Sequence, residues 1–348
     1  MKALQLVEYN RFEYRDVPDP QPAEGEALIR VRAVGICGSD VHGMDGSTGR
    51  RIPPVVMGHE ASGEVVATGS RVSRIREGDR VTFDSTIYCG ECYYCRRGEI
   101  NFCENRRVLG VSADAYRQDG AFADYVVVPE RSVYRVPAEV SYEHAAMVEP
   151  LSIAMHSIEL TPHETADPAV VVGAGMIGLL VVQLLRVAGY GTIIAVDIDD
   201  YKLEQAAQLG ADHVVNSAKQ DLWPVVAEST EGRGVCSAFD AVGIQESLNT
   251  AVEAVRRGGT ITVIGNLSPK VEAPLQYLVT RQIRVQGSNA SAGEYPACLE
   301  LIKRSAVNLD ALISAVVPLS QGAEWFRKLY NNEENLIKVI LTPDNSQD

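Results

Sequence analysis

A chain of 348 residues, 46% hydrophobic and 22% charged, has the make-up of an ordinary globular protein and is long enough for two domains rather than one. Its formal charge of −14 and pI near 5.0 argue against nucleic acid as a partner, because duplex binding draws on Lys and Arg to neutralise phosphates. The start, MKALQLVEYNRFEYRDV, lacks a basic segment followed by an apolar run, and no window approaches about eighteen uninterrupted apolar residues, so the expectation is a cytoplasmic protein with no membrane partner.

Residues 1–150 read as short strands punctuated by Gly and Pro: EALIRVRAVGI, ASGEVVATGS, DRVTF, AFADYVVVP and SVYRVP. The period then changes. EPLSIAMHSIEL has helical spacing, and AVVVGAGMIGLLVVQLLRVAG reads as an apolar strand, a glycine turn and a long apolar helix. Strand-like TIIAVDI, HVVN, AFDAVG, TITVIG and IRVQGS alternate with segments such as DYKLEQAAQLG and QESLNTAVEAVRRGG, which suit surface helices ending at glycine. This alternation predicts an α/β region with a mostly parallel sheet. The last sixty or so residues return to mixed α and β and are expected to pack on the N-terminal domain, with the tail PDNSQD frayed.

Cys89, Cys92, Cys95 and Cys103 put four of the seven cysteines within fifteen residues. In a reducing compartment such clustering favours metal ligands over disulfides. Four thiolates filling a tetrahedral shell leave no position for water or substrate, which makes a zinc there structural; the spacing also admits an iron–sulfur cluster or plain buried thiols. A second ligand set is offered by Cys37, His59 and the adjacent Glu60, with Glu149 as a further candidate. Taken singly, each has a plain reading as a buried thiol, a satisfied imidazole or a helix-start carboxylate. Cys236 and Cys298 have no partner pattern and read as structural.

The run Gly173-Ala174-Gly175-Met176-Ile177-Gly178 follows an apolar strand and opens a helix, the context in which bare backbone amides hold a pyrophosphate. Asp197 ends the next strand, nineteen residues beyond Gly178, where a carboxylate binds the adenosine ribose and disfavours a 2′-phosphate. NAD is therefore expected over NADP. Val263 and Gly265, at the end of TITVIG, complete the candidate cofactor set.

GICGSDVH, GHEASGEVVATGS, CGECYYCRRGEINFC, GAFADYVVVP, EPLSIAMH and VVVGAGMIG occur in this order over essentially the whole chain. Together they resemble the zinc-dependent medium-chain alcohol dehydrogenase superfamily, and more closely its polyol (sorbitol-type) branch. The resemblance implies a GroES-like β-rich catalytic domain over 1–152 carrying two zinc sites, a doubly wound Rossmann domain over 153–289 that binds NAD, and a segment 290–348 returning to the first. It makes Cys37 and His59 ligands of a catalytic zinc, with Glu60 and Glu149 sharing a third position. Asp40 matches the carboxylate that orients the histidine ligand. Ser39 matches the hydroxyl that accepts the substrate proton, His42 the histidine that passes it to solvent, and Lys202 a residue near the ribose.

The implied reaction takes a secondary alcohol of a polyol, sugar or sugar-alcohol phosphate to a ketone, in a homodimer or homotetramer. The alternatives are a threonine-type amino-alcohol dehydrogenase and an inactive zinc-binding scaffold of the same fold. GSNASAGEYP lacks the Arg-Tyr pair common in sorbitol-type relatives, which puts sorbitol itself in doubt. Arg50 and Arg51 are either solvated loop residues or a grip for a substrate phosphate.

Overall fold

The computed structural model describes residues 1–333 and 335–344; residues 345–348 of the tail expected to fray lie outside the described residues. By internal contacts the chain divides into two units, Met1–Glu149 with Tyr295–Ser305 and Leu309–Asp348, and Pro150–Glu294 with Ala306–Asn308.

The first unit is built on a seven-stranded sheet. Its spine is Glu26–Gly35, an alternating strand that pairs antiparallel with Glu60–Thr68 on one side and with Tyr125–Pro129 and Lys338–Thr342 on the other. Register places Gly35 opposite both Glu60 and Ile340, so the end of the chain meets the end of the spine. Arg80–Phe83 and Val133–Arg135 extend one edge, and Ile313–Pro318 forms the other. Alternate side chains of these strands, among them Ile29, Val65, Phe83 and Val126, fill a core closed by Leu4, Phe122 and Phe326. The hairpin of Lys2–Glu8 with Arg11–Asp16 adds two strands to those expected from the sequence.

The second unit is a six-stranded sheet, parallel throughout, in the order His213–Asn216, Ile193–Asp197, Ala169–Val172, Val235–Asp240, Val255–Val263, Arg284–Gly287. The order steps outward in one direction and then in the other from Ala169–Val172, which is double winding. The central strands Ala169–Val172 and Ile193–Asp197 are nearly continuous apolar runs, as strands buried on both faces of a parallel sheet require. One expected boundary differs. The segment QESLNTAVEAVRRGG does not stay helical to its glycines: the helix Gln245–Ala254 stops and Val255–Val263 begins at once, with Val255 paired to Val235. Two β-branched valines facing each other on neighbouring strands outweigh the helical pattern.

Candidate functional site

Cys37, two residues beyond the spine strand and in extended conformation, caps the short helical turn Gly38–Val41. Glu60 opens the neighbouring strand with His59 just before it, and ligand atoms of Cys37, His59 and Glu60 all lie within 4.8 Å of one another. The close approach depends on Gly35: a Cβ there would fall 2.3 Å from Glu60 Oε2. The sheet register thus delivers the carboxylate into space that no other residue would leave open.

Each member is held from behind. His59 Nδ1 faces Asp40 Oδ2 at 3.2 Å, and neither atom has another hydrogen-bond partner among the described residues. That leaves Nε2 as the ring nitrogen able to ligate. Ser39 Oγ donates to Cys37 Sγ at 3.3 Å. Lys338 Nζ donates to Glu60 Oε2 at 2.6 Å and to Ile36 O at 3.0 Å, wholly buried.

The titrating groups of the site act strongly on one another. Burial opposes ionisation of Asp40, but His59 and Arg51 outweigh it and bring its carboxyl down to about 2. Burial likewise works against a charged His59, yet Asp40 and Cys37 raise it well above its usual range. A thiol, an imidazole and a carboxylate converging in this field are the donor set of a zinc site.

Glu149, the second residue of the helix Val148–Glu159, stands outside the 4.8 Å group, and Ser85 Oγ donates to its Oε1 at 3.5 Å. Burial, reinforced by Glu60 and Asp84, raises its carboxyl to about 7 despite the opposing charge of His59. His42 caps the turn Gly38–Val41 on its exposed side. Arg51 is not a solvated loop arginine: it is buried, with Nη2 2.8 Å and Nε 3.1 Å from Asp40 Oδ1. Arg50 is exposed.

Cys89, Cys92, Cys95 and Cys103 form the second group with all ligand atoms within 4.8 Å. Backbone amides already point at the sulfurs: Cys89 N–H to Cys103 Sγ at 3.2 Å and Cys92 N–H to Cys89 Sγ at 3.4 Å. Such bonds bring Cys89 down to about 6, whereas burial and the neighbouring thiols drive Cys95 up to about 12. Four crowded sulfurs cannot all ionise without a cation among them, which is the arrangement a closed zinc site needs.

In the second unit the glycine loop leads from Ala169–Val172 into the helix Met176–Val187. Gly173 has φ +93°, and a Cβ on Gly178 would lie 1.7 Å from Gly173 O, so the loop turns and the helix starts in contact with it. Around Gly175 nothing would lie within 4 Å of a Cβ, and the helix begins at the next residue, where the first amides, Met176 and Ile177 among them, have no partner within the helix. Asp197 ties the loop to its own strand: Oδ2 accepts from Ala174 N at 2.6 Å and Oδ1 from Ile198 N and Asp199 N at 2.8 and 3.0 Å. Lys202 Nζ lies 3.7 Å from Asp199 Oδ2. Val263 ends its strand, and a Cβ on Gly265 would meet the Val242 backbone at 2.2 Å.

Two residues of this arrangement escaped sequence reasoning, Arg51 as a buried partner of Asp40 and Lys338. The latter had a signal, a lone lysine inside the apolar run LIKVIL.

The family described as Alcohol dehydrogenase GroES-like domain matches residues 23–138, and that described as Zinc-binding dehydrogenase matches 177–304. The D-arabitol-phosphate dehydrogenase of Enterococcus avium is 35% identical over 97% of this chain and 95% of its own. The sorbitol dehydrogenase of Bacillus subtilis strain 168 is 32% identical over 99% and 98%. Among solved structures, galactitol-1-phosphate dehydrogenase from Escherichia coli superposes with a TM-score of 0.89 at 25% identity, covering 99% of this chain and 100% of that one.

Proposed function

The chain belongs to the zinc-binding alcohol dehydrogenases with a GroES-like domain, and from that premise we propose that it oxidises a secondary alcohol of a polyol, sugar or sugar-alcohol phosphate to a ketone with NAD. The observation that carries the reading is the convergence of Cys37, His59 and Glu60 within 4.8 Å, with Asp40 behind the histidine.

Cys37, His59 and Glu60 would hold a catalytic zinc, Glu149, outside the 4.8 Å group, would exchange with Glu60 at the third position, and the four clustered cysteines would hold a structural one. Bound zinc lowers the pKa of a hydroxyl and a bound nicotinamide accepts hydride. Ser39, beside Cys37, takes the hydroxyl proton, and His42 on the exposed side of the same turn hands it to solvent. Asp40 keeps His59 in the tautomer with Nε2 free. Gly173, Gly175, Met176, Ile177 and Gly178 present backbone to the pyrophosphate, with Val263 and Gly265 nearby in the sheet order and Lys202 toward the ribose. The carboxylate of Asp197 repels a 2′-phosphate and favours NAD.

Glu149, rather than Asp, favours a polyol over a threonine-type amino alcohol, and the relatives described above carry polyol names. An inactive scaffold has no chemical need for Cys37, His59, Ser39 and the open glycine loop together. The exposed edge strand Arg284–Gly287, with Val285 facing solvent, supports a homodimer or homotetramer. No helix among the described residues is long and apolar enough to cross a membrane, and seven free thiols suit the reducing cytoplasm. A panel of polyols and their phosphates, assayed for NADH with and without chelator, tests the reading. Chelator-sensitive NADH formation supports it, and activity on threonine alone would overturn it.

A further inference from the structure

Arg51 lies on a loop eight residues before His59, yet only 5% of its side chain is exposed. A guanidinium is buried at a cost unless it is paired, and this one is. Its Nε and Nη2 both converge on Asp40 Oδ1, at 3.1 and 2.8 Å, while Nη1 donates to Arg50 O at 3.3 Å. Asp40 is fully buried, and its two oxygens are divided: Oδ1 serves Arg51 and Oδ2 faces His59 Nδ1 at 3.2 Å.

The arginine's position is built in from two sides. A Cβ on Gly43 would fall 2.6 Å from Arg51 Cγ and 2.9 Å from Ser39 O, so the side chain passes through space that a glycine keeps open. The loop backbone is fastened to Ser112, whose N–H donates to Arg50 O at 3.2 Å and whose Oγ donates to Ile52 O at 2.7 Å. Two N–H groups of a rigid fork hold Oδ1 in place from a fixed direction and leave Oδ2 to His59, an anchoring that a single rotatable lysine ammonium matches less well.

We infer that Arg51 is a positioning residue of the metal centre, acting through Asp40: by pinning Oδ1 it aims Oδ2 at His59, which holds the ring with Nδ1–H toward Asp40 and Nε2 toward the metal. The inference rests on the reading of Cys37, His59 and Glu60 as a zinc site. Its consequence is that a side chain touching neither metal nor substrate sets how firmly the first metal is held. The second, four-cysteine site serves as an internal reference because Arg51 has no part in it.

The test uses the full chain in four variants, Arg51→Met, Arg51→Lys, Asp40→Asn and the double Arg51→Met/Asp40→Asn. Zinc affinity is measured by chelator competition, the geometry of the first site by the visible spectrum after cobalt replaces its zinc, and folding by thermal unfolding. Arg51→Met is expected to weaken zinc at the first site by about 10–100-fold and to shift the cobalt bands, with the four-cysteine ion retained. Arg51→Lys falls between it and wild type. Because the arginine acts through the carboxylate, the double variant is no weaker than Asp40→Asn alone.

If Arg51→Met fails to fold, Arg51→Lys and Gly43→Ala decide by the same readouts. Folded variants with wild-type affinity and cobalt spectrum, or a double variant whose losses add in full, overturn the inference. A wild-type chain that takes up only one zinc sinks the metal-site reading and this inference with it; two zinc ions with unaffected variants sinks this inference alone.

Discussion

Lys338 and Glu60, 278 residues apart, form an ion pair of 2.6 Å in which both side chains are 2% exposed. Burial works against a charged Lys338, but Glu60, with Cys37 and Glu149, holds its pKa above the usual range. The closing strand of the chain therefore reaches into the same pocket as Cys37 and His59 and fixes the carboxylate beside them. Lys338→Met leaves that carboxylate buried without its partner and is expected to destabilise the fold by about 3–5 kcal/mol. Denaturant unfolding checks this, and the double variant Lys338→Met/Glu60→Gln should recover part of the loss. Equal stability of wild type and Lys338→Met would show that the pair holds nothing.

The two cysteine-containing sites should separate in their effects. Cys95→Ser removes one of four clustered thiols and should lower Tm by about 4 °C or more, because binding energy at a structural metal is folding energy. Cys37→Ser should abolish turnover and leave Tm near wild type. A Cys95→Ser protein of full stability that lost only activity would contradict the division.

Glu149 gives the metal-free protein a pH dependence. Its folded carboxyl is raised by burial to about 7, above an unfolded value near 4.5, so the native state binds the extra proton between these values. Its stabilising contribution is complete below about pH 4.5 and is lost as pH rises to about 7. After chelator treatment, wild type should lose more Tm than Glu149→Gln between pH 5 and pH 8. Parallel pH profiles of the two proteins would refute the assignment.

Asp197 should decide the cofactor. Asp197→Ser removes the charge at the strand end and the three backbone bonds it accepts. A charge-assisted bond contributes about 1.5–3 kcal/mol, so kcat/KM for NAD should fall by about 10–100-fold while that for NADP falls less or rises. An unchanged NAD-to-NADP ratio would remove Asp197 from cofactor choice.

Much of this was legible in the sequence because its signals are local. The cysteine spacing from Cys89 to Cys103 sits on one loop, and the glycine loop follows its strand directly, so both appear as short patterns. The alternation of Glu26–Gly35 and the apolar run Ile193–Asp197 announce a half-buried and a fully buried strand by composition alone. What escaped was set by distant pairing. Lys338 meets Glu60 only because Ile340 and Glu60 both register on Gly35, and no local pattern encodes that. Arg51 is read as a loop arginine until the chain folds it onto Asp40 past Gly43. The early end of Gln245–Ala254 has the same origin, since Val255 answers to a strand twenty residues earlier.

The most direct test of the central claim is zinc content measured together with NADH formation on polyols and polyol phosphates. The account predicts two zinc ions per chain and chelator-sensitive NADH formation from at least one secondary alcohol. A protein that holds both ions and binds NAD, yet reduces it with none of these alcohols, would contradict it.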